Sequence, residues 1–229
     1  MTAQDILEAG APHVILATGA TWRRDGVGRY LTRPVPGNGK VFTPDDFLES
    51  GGLPPAFQQQ AVGLQKILIY DDDHYYMGGV LAELLAQNNC EVTLVTPAPS
   101  ISYWTQFTLE QERILKRLFD LKATLLANHL IVSHSPTTAT VTNKITSVES
   151  TLACDAIVMV TDRIPNDKLY HELKPALAEG KLKSLRIIGD AEAPNIIAQA
   201  VFSGHLAARE FDEKIDPDDT PFKVEQAKL

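Results

Sequence analysis

Lys66-Ile67-Leu68-Ile69-Tyr70, Gly79-Val80-Leu81-Ala82-Glu83-Leu84-Leu85-Ala86-Gln87 and Glu91-Val92-Thr93-Leu94-Val95 follow one another along the chain and decide its fold. The first and third are short, branched, apolar runs, the pattern of strands covered on both faces. The middle one is a helix former rich in Leu and Ala. Strand, helix and strand within about 30 residues make a parallel crossover unit. Downstream, Thr108 and Gln111 have capping-box spacing, and Ile114, Leu115, Leu118 and Phe119 share one helical face. Ala123–Leu126 reads as a third strand. Leu130–Ser133, Thr138–Thr142 and Ile145–Glu149, separated by turn-prone residues, read as an antiparallel meander, and 155–160 as another buried strand.

Working toward the N-terminus, Thr43 is placed as an N-cap with Pro44 at the first helical position. Phe42 and Phe47 stand at the staple positions around that cap. Trp22 to Gly39 lacks periodicity and reads as a loop. Gly51-Gly52-Leu53-Pro54-Pro55 ends the helix, and the Gln58–Gln60 stretch marks a boundary. Val14-Ile15-Leu16 is a buried strand broken by Ala17-Thr18-Gly19-Ala20. Toward the C-terminus, Ser184–Asp190 repeats the strand-then-glycine arrangement. Behind it Pro194 opens a helix whose expected inner face is Ile197, Ala200, Val201, Gly204, Ala208 and Phe211. The polar tail from Lys214 reads as a disordered or docked arm.

Composition bounds the function. The 229 residues hold 21 Lys+Arg against 29 Asp+Glu, a net charge of −8, with 44% hydrophobic residues. An acidic balance without a basic cluster argues against a nucleic-acid partner. No apolar run is long enough to span a membrane and Met1–Asp5 is no signal peptide, so a cytoplasmic location is expected. The two cysteines, Cys90 and Cys154, stand far apart with no CxxC spacing, which excludes a structural zinc or an iron–sulfur cluster held by this chain alone.

Ile15–Arg23 (ILATGATWR), Tyr75–Glu83 (YYMGGVLAE), Phe107–Glu110 (FTLE), Ile188–Pro194 (IGDAEAP) and Ala200–His205 (AVFSGH) carry a resemblance. Together they resemble the C-terminal half of the trimethylamine dehydrogenase family, with its dimethylamine and histamine dehydrogenases and, more distantly, 2,4-dienoyl-CoA reductase. The resemblance implies an α/β fold of Rossmann-like paired dinucleotide-binding domains. A complete NAD-like domain (61–168) would be inserted in an incomplete FAD/ADP-binding-like domain (1–60 and 169–229). It implies cofactor-binding roles for Ala17, Thr18 and Gly19 in an ATG turn and for Gly189, Asp190 and Ala191 in a GD turn. Trp22, with Arg23 and Arg24, is left between stacking on a nucleotide and packing on a partner. FMN and a 4Fe-4S cluster would sit in a TIM barrel that this chain does not carry, and electrons would leave to an electron-transferring flavoprotein.

The departures from the family pattern set the expected function. The opening strand–helix–strand unit with its G-x-G-x-x-G fingerprint is absent, and with it the main source of diphosphate affinity. The Val14–Ala17 strand then has an uncovered apolar edge. A partner chain carrying the barrel and that opening unit is therefore expected. Asp71-Asp72-Asp73-His74 stands where tight glycines would meet a pyrophosphate, and Thr96-Pro97 where an acid would hold the ribose. Both argue against NAD(P)H. The acidic run is otherwise read as a solvated turn, and His205 as a packed structural residue. Three readings follow: an ADP- or FAD-associated oxidoreductase component without its own catalytic centre, an NAD(P)H-binding reductase module, and a non-catalytic interaction module that lost its nucleotide.

Overall fold

A computed structural model describes residues 1–58 and 65–211. In chain order the elements begin with α1 (Ala3–Glu8), β1 (His13–Leu16), β2 (Ala20–Trp22), β3 (Val41–Phe42), α2 (Pro44–Glu49) and α3 (Pro55–Gln58). Next come β4 (Lys66–Asp71), α4 (Met77–Gln87), β5 (Glu91–Val95), a 3-10 helix (Tyr103–Thr108), α5 (Gln111–Asp120) and β6 (Thr124–Leu126). The antiparallel strands are β7 (His129–His134), β8 (Thr138–Asn143) and β9 (Glu149–Ala153). The chain closes with β10 (Ala156–Val160), β11 (Arg163–Pro165), α6 (Lys168–Ala178), β12 (Ser184–Ile187), a 3-10 turn (Gly189–Ala191) and α7 (Ile197–Arg209). The fold is mixed α/β with parallel sheets.

Two compact units divide the chain: Met1–Thr21 with Ile164 onward, and Trp22–Arg163. The sequence suggested a boundary near 60. Instead α2 and the residues around it join the second unit, because Phe57 stacks on Phe42 and Phe47 and all three enter that unit's core. The N-cap is as expected: the Thr43 N–H donates to the Asp46 carboxylate at 2.7 Å, with Pro44 following. Gln59 and Gln60 of the expected boundary, and the tail from Lys214, lie outside the described residues.

The second unit is three-layered. Its sheet runs β3-β10-β4-β5-β6, every pair parallel. Alternate residues feed opposite faces, as the two-residue period of a strand requires. Ile67, Ile69, Leu94 and Val158 pack with Leu81 and Leu85 of α4 and Leu118 of α5. Leu68, Tyr70, Val95, Ile157 and Met159 pack against Ile131, Ala139 and Val141 of the antiparallel sheet. Burial on both faces explains why β4 and β10 read as unbroken apolar runs.

Three local expectations change. The last meander strand is Glu149–Ala153 rather than 145–149. The Asn143 side chain accepts the N–H groups of Ile145 and Thr146, so those residues form a turn. The Thr108–Gln111 capping box does not form. Thr108 ends the 3-10 helix, its hydroxyl shared with Tyr76 and the Thr105 carbonyl, and Leu109 in a left-handed conformation separates it from α5. On α5, Leu118 is buried but Phe119 is exposed.

In the first unit β1 and β12 form a two-stranded parallel sheet, with Val14 opposite Leu185 and Leu16 opposite Ile187. Val14 and Leu16 pack with Ile6 of α1 and with Leu173, Ala176 and Leu182. Ile15, facing away from that cluster, is 42% exposed. The expected inner face of α7 is likewise partly uncovered: Ile197, Val201 and Phe211 are exposed, and Ala207 is the helix's one buried residue. The face is covered only in part: Ala200 lies beside Gly189, Gly204 beside Ile188, and the Phe211 ring stands 4.9 Å from that of His13, while Ala208 is exposed.

Candidate nucleotide site and the acidic loop

β1 and β12 run parallel and in register, so both strands end at the same edge of their sheet. The Ala17-Thr18-Gly19 turn and the Gly189-Asp190-Ala191 turn each leave that edge, and the Ile188 N–H donates to the Leu16 carbonyl beside them. Carboxyl ends of parallel strands are where α/β sheets place ligands. Gly19 and Gly189 have φ of +71° and +64°, a region open to glycine without strain. A Cβ on Gly19 would meet nothing within 4 Å, so the turn's outer face is open. Ala17 and Thr18 are exposed, Asp190 is half-buried and Ala191 is buried.

Each turn is tied down by a residue that sequence reading missed. Asn166 binds the first turn four ways. It accepts the Thr18 hydroxyl on its carbonyl (2.6 Å), and its N–H donates to the Gly19 carbonyl (2.9 Å). Its side chain donates Nδ2–H to the Thr18 carbonyl (3.1 Å) and accepts the Thr21 hydroxyl on Oδ1 (3.0 Å). Ser203 of α7 holds the second turn, accepting the Gly189 N–H at 2.8 Å while donating to the Ala200 carbonyl. The Asp190 carboxylate accepts the Asn195 N–H at 3.1 Å. The sequence signal for Asn166 was a polar residue just after a strand, too common to single out.

His205 is not packed. With Ala198, Val201, Phe202, Leu206 and Arg209 it lines an open groove of about 640 Å³ on α7. Trp22, another expected cofactor residue, belongs to the second unit, where its ring packs on the core and lies 5.2 Å from the Arg163 guanidinium. Arg23 pairs with Asp25, and Arg24 forms a bidentate pair with Asp46 at 2.7 and 2.8 Å. These partners hold both guanidinium pKa values above their ordinary range.

The acidic loop after β4 is the largest correction. Asp71 and Asp72 are fully buried and His74 nearly so; the loop is not a solvated turn. Asp71 Oδ1 accepts the N–H groups of Asp73 and His74. Its Oδ2 has no hydrogen-bond partner, and burial pushes the carboxyl up to about 7. Asp72 accepts the Tyr30 N–H at 3.0 Å and lies 3.1 Å from His74 Nε2. His74 sits in a left-handed conformation (φ +65°), edge-on to the Tyr30 ring. Backbone approach is close at this strand end: a Cβ on Gly78 would lie 2.6 Å from Asp71, and one on Gly28 2.5 Å from Asp72. Among the described residues no group of His, Cys, Asp and Glu could hold a metal ion, and no helix is long and apolar enough to cross a membrane.

Comparison with known proteins agrees with this architecture. Residues 56–142 match the OYE-like second alpha/beta domain. Dimethylamine dehydrogenase of Hyphomicrobium sp. (strain x) is 31% identical over 99% of this chain. The structure of histamine dehydrogenase from Rhizobium sp. 4-9 is 39% identical over the whole chain, with a TM-score of 0.90. That of 6-hydroxypseudooxynicotine amine oxidase from Pseudomonas geniculata N1 is 36% identical over 93% of the chain, with a TM-score of 0.85. The chain spans about a third of the length of each: 33%, 35% and 31% respectively. These likenesses support the trimethylamine dehydrogenase family read from the sequence.

Proposed function

We propose that this chain is the nucleotide-associated part of a trimethylamine dehydrogenase-like flavin oxidoreductase, holding ADP or FAD at the ATG and GD turns once further polypeptide completes its first unit. The observation that carries this reading is the placement of both turns at one edge of the β1–β12 sheet, each with a positive-φ glycine. The residues fit such a ligand in part. Gly19 leaves room for a close approach, and Asp190 supplies a carboxylate of the kind that accepts sugar hydroxyls. A glycine-rich phosphate cradle is not part of either turn. The diphosphate would then be gripped by a strand–helix–strand unit on another segment, placed against the edge of β1 that no described strand pairs with and against the exposed apolar residues of α7.

This chain's own residues bind and orient; they do not perform the chemistry. A 4Fe-4S cluster does not fit here, since two cysteines cannot supply its four thiolate ligands and no metal-ligand group exists among the described residues. Amine oxidation and transfer to an electron-transferring flavoprotein would belong to the barrel-bearing polypeptide. In the family arrangement the second unit corresponds to the NAD-like insertion. We read it as closed to dinucleotides, because two buried carboxylates occupy the end of β4 and the Tyr30 N–H already satisfies one of them.

The test is to purify the protein with its native partner polypeptides, denature it, and identify what is released. ADP without a visible flavin band, or FAD in stoichiometric amount beside FMN, is the expected outcome. A partnered protein with no adenine nucleotide would overturn the reading. Saturable NADH binding in the micromolar range would restore the reductase-module alternative.

A further inference from the structure

We infer that Asn166 is the positioning residue of this nucleotide site, holding the ATG turn in the shape the ligand meets; the inference rests on the nucleotide reading above. The turn is exposed and short, with a glycine that allows many conformations, so nothing in its own sequence fixes it. Asn166 supplies the missing constraint from 148 positions away. Its four hydrogen bonds take up the Thr18 hydroxyl and both the Thr18 and Gly19 carbonyl oxygens. Two consequences follow. Thr18, expected to contact the cofactor, spends its hydroxyl on the Asn166 carbonyl and serves the turn instead. The carbonyl oxygens, which would repel a phosphate, are engaged, which leaves the turn N–H groups as what it can offer an anion.

The bonds divide cleanly between backbone and side chain. Asn166→Ala removes the Nδ2–H donated to Thr18 and the Oδ1 acceptor of Thr21, and leaves the two bonds made by the Asn166 backbone. Asn166→Asp keeps the acceptor for Thr21 but sets a carboxylate against the Thr18 carbonyl. Thr21→Val removes one bond at an exposed position and leaves Asn166 intact.

The experiment strips the nucleotide from the natively partnered protein and titrates ADP and FAD by calorimetry. Amide hydrogen exchange over residues 17–21 and thermal midpoints are followed in parallel. Asn166→Ala is expected to weaken binding roughly tenfold or more, Asn166→Asp further, and Thr21→Val by a few-fold. Exchange over 17–21 should accelerate in the order of those losses, with the midpoint within a few degrees of wild type. Wild-type affinity in Asn166→Ala, or unchanged exchange in the turn, would overturn the positioning role while leaving the nucleotide reading standing. A loss of affinity accompanied by a collapsed midpoint would also overturn it if Thr21→Val then bound as tightly as wild type. No ADP or FAD binding by the wild-type protein would remove the nucleotide reading and this inference together.

Discussion

Replacing Asp71 by Asn removes an ionisation that the fold opposes. The Asp71 side chain is fully buried, and its carboxyl is pushed up from 3.8 to about 7, first by desolvation and then by the charge of Asp73. The folded form therefore holds its proton more tightly than the unfolded chain. The stability this confers is fully present below pH 3.8 and is lost as pH rises through about 7. A shift of about 3 units at about 1.4 kcal/mol each makes the loss roughly 4 kcal/mol at pH 8 and above. Asn keeps an acceptor for the N–H groups of Asp73 and His74 and cannot ionise. Asp71→Asn should thus be close to neutral at pH 4–5 and more stable than wild type by about 2–4 kcal/mol at pH 8. Both tryptophans, Trp22 and Trp104, lie in the second unit, so tryptophan fluorescence follows its unfolding without interference from the first. Urea titrations of both proteins from pH 5 to 9 give the difference directly. A difference independent of pH would mean that Asp71 is charged in the fold, and the burial argument would fail.

Two further perturbations test the second unit's packing. Leu85 is fully buried between α4 and the sheet, so Leu85→Ala should cost about 2–5 kcal/mol in the same urea titration, whereas a loss under 1 kcal/mol would contradict the assigned core. A Cβ on Gly37 would lie 2.4 Å from the His134 carbonyl oxygen, a backbone atom that cannot swing away, and Gly37→Ala should destabilise by roughly 1–3 kcal/mol; an unchanged midpoint would show that the 36–39 segment is not seated on β7.

The legible parts of this chain were those governed by neighbours in sequence. The β4–α4–β5 crossover, the Thr43–Pro44 helix start and the two strand-then-glycine turns were all readable, because periodicity and capping act over a few residues. Misreadings arose where distant groups decide. The Asp71–Asp73 run looks solvated in isolation, and only the approach of Tyr30, Gly28 and Gly78 buries it. The spacing along α7 marks a helix, but it does not tell which side is covered: Ala207 is buried and the expected Ala208 is exposed. Thr18 was legible as part of a turn and not as a residue already engaged by Asn166.

By itself the sequence determined the element types, the parallel crossover and the absence of any metal-ligating set of cysteines. Tertiary structure alone decided the division at 21/22 and 163/164, the burial of two carboxylates and the fastening of the ATG turn. The physical reason is range: backbone propensity and side-chain periodicity act within a turn or two of chain. Desolvation and hydrogen bonding depend instead on which residues topology brings together, here from as far apart as Thr18 and Asn166.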